Sequence, residues 1–307
     1  MTTISATTIL TSKHAETGHR IDTLVLRYPR WIHAEFMTHR VFSRNASSSR
    51  AIPVSKLIED IYNDPAVPLF WGKNQKGMQA QAGEECNEPV RDIFIDDGST
   101  LDRTNAWCDA TITACNQAQA FADAGYHKQI ANRLLEPFSH INVVVTATEW
   151  DNFFTLRDHD AAEPHIRLLA QKIKEARDGA YVQTLQPGEW HLPFIGKYDI
   201  LDAVETHPEN VKAQRRALKR LSVARSASVS YKTVEGFDMT MERADAIYDK
   251  LFGPPLHASP FEHVAQADWQ VKSTTSLLWM WANPANHRNF TGFRQLRSLI
   301  ETGHCHE

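Results

Sequence analysis

The sequence predicts a mixed α and β fold. Two kinds of stretch carry that expectation. Residues 20–28 (RIDTLVLRY) and 141–150 (INVVVTATEW) are rich in β-branched residues, and several longer segments repeat apolar residues every three or four positions. A hydrophobic fraction of 42% over 307 residues is enough to bury a real core, which excludes wholesale disorder.

In chain order, Leu24, Val25 and Leu26 belong to a short strand that stops at Pro29. WIHAEFMTHRVF (31–42) is compatible with a helix that ends in a polar loop. Pro53 opens a second helix, VSKLIEDIYND, since proline is tolerated in a first turn. Residues 64–99 are rich in Gly, Pro, Asn and Gln without a period, and read as an inserted surface excursion of the kind that forms lids. A long helix is expected over 101–124, with Trp107, Ala110, Ala114, Ala118, Phe121 and Ala124 on its stripe and Gly125 as its stop. KQIANRLL (128–135) continues helically to Pro137.

The strand INVVVTATEW follows, then helices EWDNFFTLRDH and AEPHIRLLAQKIKEA, the second with Ile166, Leu169, Ala170, Ile173 and Ala176 on one face. Pro187, Pro193 and Pro208 argue against any long element over 180–207. ENVKAQRRALKRLSVARSASVSY begins as a basic helix whose Lys212, Arg215, Arg216, Lys219 and Arg220 form a solvated face. TMERADAIYDKLFG is a helix ending at Gly253, VAQADWQV is strand-like, and FTGFRQLRSLIE looks helical. No repeat or low-complexity linker interrupts 1–307, which reads as one domain.

A net charge of −4 disfavours a protein that coats nucleic acid. No apolar run approaches the roughly 18 residues of a membrane span. The start, MTTISATTILTSKH, lacks the basic n-region of a signal peptide, so a cytoplasmic location is expected. Cys86, Cys108, Cys115 and Cys305 match no zinc knuckle, and His304-Cys305-His306 reads as a frayed end rather than a metal site.

The densest chemistry lies in THRVFSRNASSSR, Thr38–Arg50, where four Ser, one Asn and three Arg share thirteen positions. Taken singly, these are residues of a solvated cap and turn. Taken together, they suit an anion: Arg and Ser share phosphate oxygens, and backbone N–H groups add to the cradle. Three further blocks hold candidate groups: ANRLLEP (131–137), TATEWDNFFTLRDHDAAEPHIR (146–167) and HASPFEH (257–263), with ASVSY (227–231) upstream of the last.

These blocks resemble the flavin-dependent thymidylate synthase family. Its signature, R-H-R-x-x-S-x-N-x-x-S-x-R, is matched by His39, Arg40, Ser43, Asn45, Ser48 and Arg50, while Thr38 replaces the first Arg and Ala46 an acidic residue. Arg133 matches an Arg that reaches the nucleotide of a neighbouring subunit. Asn152 and Arg157 match a flavin contact and the Arg that acts on the pyrimidine. Thr146 replaces a further flavin-binding Asn, and Glu163 and His165 stand where Gln and Glu are usual. Ser230, His257 and Ser259 match flavin-contacting residues of the last two blocks. Those blocks precede the signature in most members, so the order here resembles a circular permutation.

The resemblance implies an α/β sheet flanked by helices, assembled as a homotetramer. It implies reductive C5-methylation of dUMP to dTMP with 5,10-methylenetetrahydrofolate, NADPH and FAD. It assigns Ser48, Arg50 and Arg133 to the nucleotide phosphate and Arg157 to the base. Asn45, Asn152, Ser230, His257 and Ser259 would hold FAD, with His39 where folate stacks on flavin and Arg40 in support. Three rivals stay open: a related enzyme methylating dCMP or releasing a hydroxymethylated base, a single-stranded nucleic-acid binder using Trp platforms, and a His-rich metallohydrolase.

Overall fold

Ser5–His14, for which no strand is expected above although Thr7, Thr8, Ile9 and Thr11 are β-branched, forms strand β1 and pairs antiparallel with β2 (Arg20–Pro29). The computed structural model describes residues 2–76, 84–95, 97–230, 239–274 and 276–304. Period-two alternation puts Leu24, Leu26 and Tyr28 of β2 on one buried face. The helix expected over 31–42 is shorter: a 3-10 turn, Arg30–Ile32, leads into one turn, α1 (His33–Phe36). Burial is the reason. Phe36 packs on Phe153 and Phe42 on Trp150, and the chain bends between them to bring both rings inward.

The expected polar loop contains strand β3 (Ser43–Ala46). Helix α2 (Val54–Asn63) starts after Pro53 and buries Val54, Leu57 and Ile61. In the 64–99 stretch, β4 (Val90–Arg91) pairs with β5 (Thr100–Leu101), and Ile93 stays 82% exposed. The beginning of that stretch is anchored, unlike a free lid. Ala66 is buried and its carbonyl accepts the Trp107 indole N–H at 2.9 Å, while the Leu69 N–H donates to His165 Nε2 at 3.0 Å.

Helix α3 (Arg103–Asp123) buries Thr111, Cys115 and Ala118, whereas Ala110 and Ala124 of the expected stripe are exposed. Its end fits the sequence. Gly125 has φ +86°, the Gly125 N–H bonds Ala122 O at 2.9 Å, and the Tyr126 N–H bonds Phe121 O at 3.0 Å. A Cβ at Gly125 would meet nothing within 4 Å, so Gly125→Ala costs only the left-handed backbone penalty. We expect about 1 kcal/mol, read as a lower urea midpoint with unchanged slope.

After α4 (Lys128–Ala131), a 3-10 helix, Asn132–Phe138, runs through Pro137 rather than stopping before it. Then come β6 (His140–Ala147), α5 (Asp151–Arg157) and α6 (Pro164–Asp178), with Pro164 at its start and the Glu163 carboxylate capping the His165 and Ile166 N–H groups. The proline-marked stretch holds β7 (Val182–Leu185), β8 (Trp190–His191) and a ten-residue helix, α7 (Lys197–Thr206), that the prolines flank rather than prevent. In α8 (Val211–Ala227) the expected solvated face is broken at Arg220. That residue is buried and pairs with Asp245 and Asp249 of α9 (Met241–Phe252), and its guanidinium stacks on Tyr248. The remaining elements are β9 (Ala265–Ala267), β10 (Gln270–Lys272), β11 (Trp279–Trp281), β12 (Phe293–Gln295) and α10 (Leu296–Glu301), so FTGFRQLRSLIE is strand then helix.

The central sheet has the order β3-β6-β2-β1-β7, antiparallel except for β1 against β7. One face carries Leu24, Leu26, Val143 and Val145 and is covered by α1, α5 and α6 through Phe36, Phe153, Ile166 and Leu169. The opposite face is different at its centre. Ser12, Thr23 and Thr146 are fully buried there beneath His191 and His263. Helices thus flank a central sheet, as the resemblance implies. Among the described residues no helix is long and apolar enough to cross a membrane.

Candidate active site

Alternation explains the spacing within the signature. Ser43 and Asn45 are two apart on β3 and share one face. Pairing of Ser43 with Thr146 and Asn45 with Val144 fixes the strand on β6. The Ser43 hydroxyl accepts from Asn289 Nδ2 at 3.0 Å and Gln295 Nε2 at 3.2 Å. Asn45 donates to the Ser226 carbonyl at 2.7 Å, and its Oδ1 accepts the Ser259 hydroxyl at 3.5 Å. The 3-10 turn Ser228–Ser230 lies against β3 and β6. Both C-terminal blocks therefore reach the signature strand, some two hundred residues away along the chain. Tyr231, the end of ASVSY, lies outside the described residues.

Arg157, the last residue of α5, is built into the turn that precedes β3. Its Nε donates to His39 Nε2 at 2.9 Å, its Nη1 to Glu35 Oε1, and its Nη2 to Thr38 Oγ1 at 3.4 Å. Because His39 accepts at Nε2, its proton sits on Nδ1. Burial, then the charges of Arg157 and Arg44, push the His39 pKa down to about 4, so the ring is neutral at pH 7. Arg44 closes the turn by donating to the carbonyls of Met37 and His39 at 3.0 and 3.1 Å.

A second cluster forms where the chain leaves β3. Ser49 Oγ and Arg133 Nη1 both donate to Glu136 Oε1, at 2.7 and 2.9 Å, and Asn132 Nδ2 donates to the Ser49 and Ile52 carbonyls at 2.7 and 2.9 Å. ANRLLEP is thus docked on the signature turn of its own chain. Ser48 is half-buried and its carbonyl accepts the Ala51 N–H at 3.0 Å, while Arg50 is exposed beside it. Arg133 is 59% exposed and borders a shallow apolar pocket with Phe121, Ile130 and Leu134.

Three candidates stand apart from these bonds. Arg40 and Asn152 are exposed, and exposed His257 is fixed through its backbone N–H to Leu251 O at 2.8 Å. Thr146, where the family pattern has Asn, faces inward. Its hydroxyl bonds Thr23 Oγ1 at 2.7 Å and His263 Nδ1 at 2.8 Å. Thr23 bonds His191 Nε2 at 2.8 Å, and His191 Nδ1 meets Ser12 Oγ at 2.6 Å, which takes a bond from Gln183 Nε2 at 2.8 Å. The Gln183 NH2 group donates to Ser12, and the direction from Gln183 to His263 gives every hydroxyl proton of the row an acceptor within it. Thr146 therefore anchors the HASPFEH turn to the sheet.

Glu35, Glu136 and Ser226 also take part in these contacts, although no motif match singles them out. Glu35 precedes Thr38 and His39 by three and four positions, so the turn after α1 brings all three to Arg157. Glu136 lies three after Arg133. Ser226 acts through its carbonyl, which no sequence pattern marks. Among the described residues no group of three or more His, Cys, Asp or Glu could hold a metal ion, and Cys305 and His306 lie outside them.

A family model described as thymidylate synthase complementing protein matches residues 8–178. Among solved structures, a UMP/dUMP methylase PolB from Streptomyces cacaoi bound with 5-Br dUMP is similar at 16% identity and a TM-score of 0.42, over 58% of this chain and 90% of that one. The same methylase bound with 5-Br UMP gives 16% identity and a TM-score of 0.43, over 58% of this chain and 89% of that one. No curated protein matches. The matched span is more than half of the 307 residues, and on that ground the chain belongs to the thymidylate synthase complementing protein family, that of the flavin-dependent thymidylate synthases.

Proposed function

We propose that this enzyme converts dUMP to dTMP by reductive methylation at C5, using 5,10-methylenetetrahydrofolate, NADPH and FAD. The observation that carries the reading is the guanidinium of Arg157 held against neutral His39 one turn before the signature strand. A fixed cation beside the pyrimidine carbonyls stabilises charge that develops in the ring. Ser48, Arg50 and Arg133 bind the phosphate, with Glu136 linking Arg133 to the signature turn. Exposed Arg133 serves a neighbouring copy in a homotetramer.

The donors around β3 fit a flavin dinucleotide: amide and hydroxyl groups at Asn45 and Ser259, with the Ser228–Ser230 turn alongside and the exposed guanidinium of Arg40 for a phosphate. Asn152 and His257, which stand apart from β3, are assigned to FAD by the family pattern alone, and His39 borders the folate. When bound, FAD supplies the hydride chemistry, so no cysteine nucleophile is required. A circularly permuted chain accounts for blocks that lie far apart in sequence yet meet at Asn45.

The test is product mass. Purified protein is incubated with FAD, NADPH, methylenetetrahydrofolate and either dUMP or dCMP. Formation of dTMP from dUMP is expected. Methylated dCMP or a hydroxymethylated product would move the assignment to a related pyrimidine-modifying reaction, and no product with either nucleotide would refute it.

A further inference from the structure

We propose that Glu35 is a positioning residue for Arg157. The inference rests on the reading in which Arg157 faces the pyrimidine. A guanidinium has five N–H donors. Three of those of Arg157 are committed to one short segment: Nη1 to the Glu35 carboxylate, Nη2 to Thr38 Oγ1 at 3.4 Å and Nε to His39 Nε2 at 2.9 Å. Thr38 is itself steadied, since its hydroxyl donates to the Glu35 carbonyl at 2.7 Å. Three acceptors on one segment fix the plane of the guanidinium and leave one N–H on each Nη for a ligand.

The charges differ among the three. Neutral His39 and Thr38 orient Arg157 without offsetting its cation, whereas Glu35 does both. The Glu35 and Arg157 side chains keep 32% and 18% of their exposure, so the pair sits at the rim of the site and not in the core. A carboxylate in that place weakens the general pull of Arg157 on an anionic nucleotide. It keeps the guanidinium aimed at the ring rather than at the phosphate. Binding and turnover are therefore expected to respond in opposite directions when the carboxylate is removed.

Glu35→Gln is the informative variant, because the amide oxygen can still accept the Nη1 donor while the charge is gone. Nucleotide affinity is measured by calorimetry with dUMP, and the rate by single turnover with the full set of cofactors. We expect Kd for dUMP to be unchanged or tighter and the single-turnover rate to fall roughly ten- to a hundredfold. In an Arg157→Ala background the same change should have no further effect. Glu35→Asp, which keeps the charge on a shorter arm, should regain part of the rate and is measured in its place if the amide does not fold.

Weaker dUMP binding together with a lowered Tm would mark an ordinary structural ion pair and overturn the proposal. An unchanged rate would overturn it too. Wild-type protein that turns over no nucleotide at all overturns the proposed reaction and this inference together, whereas an active wild type with an equally active Glu35→Gln overturns the inference alone.

Discussion

Arg157→Ala should lower turnover by roughly 10²- to 10³-fold, the usual effect of deleting one preorganised donor aimed at developing charge. The loss has two parts. The cation leaves the pyrimidine, and the groups that held it lose their partner: Glu35 is left as an unpaired carboxylate and His39 Nε2 without its donor. Arg157→Lys should recover little, because a compact ammonium cannot serve three acceptors arranged around a planar fork and still offer two donors to a ligand. Steady-state rates with dUMP, with FAD retention followed by visible absorbance, check the result. Near-normal kcat in Arg157→Ala would remove Arg157 from the chemistry.

Acid should unfold the protein steeply, well above the range in which carboxylates titrate. His191 and His263 are fully buried and their pKa values are pushed down from 6.5 to about 3, by burial in both and also by the proximity of His263 in the case of His191. Unfolded, each takes up a proton near 6.5; folded, each resists it down to about 3. Their stabilising contribution is therefore complete above the unfolded value and is lost as pH falls through that window. Each contributes a slope of up to about 1.4 kcal/mol per pH unit, so the pair removes roughly 3 kcal/mol per unit. His33, His39 and His140, lowered to about 4, add in the same direction. Carboxylates held below their ordinary values, such as Asp158 and Asp268, act only at lower pH. Urea midpoints measured from pH 7 to pH 4.5 test this, and a flat profile would contradict the buried neutral pair.

Local pattern made much of the fold legible. β2 and β6 are β-branched and buried, and α2, α3, α6 and α9 carry apolar faces with readable stops. Of the candidate site residues, Asn45, Ser259, His39 and Arg157 take part in the contacts around β3, whereas Arg40, Asn152 and His257 do not. The misses share a cause, which is pairing with distant partners. The polar residues of β3 become a strand because β6 lies alongside, and α1 stops where two Phe rings turn inward. Arg220 looked solvated because its acidic partners are 25 and 29 residues further on. Glu35 was silent because its guanidinium partner is 122 residues away.

The row of hydrogen bonds from Gln183 to His263 bears on where this protein could be cut. Thr23 and Thr146 belong to the span that the family pattern recognises, whereas His191 and His263 lie beyond its end at residue 178. A fragment trimmed to that span would strip the roof from the middle of the sheet and leave its hydroxyls facing solvent. The border drawn by ancestry and the border required for a finished interior are not the same line.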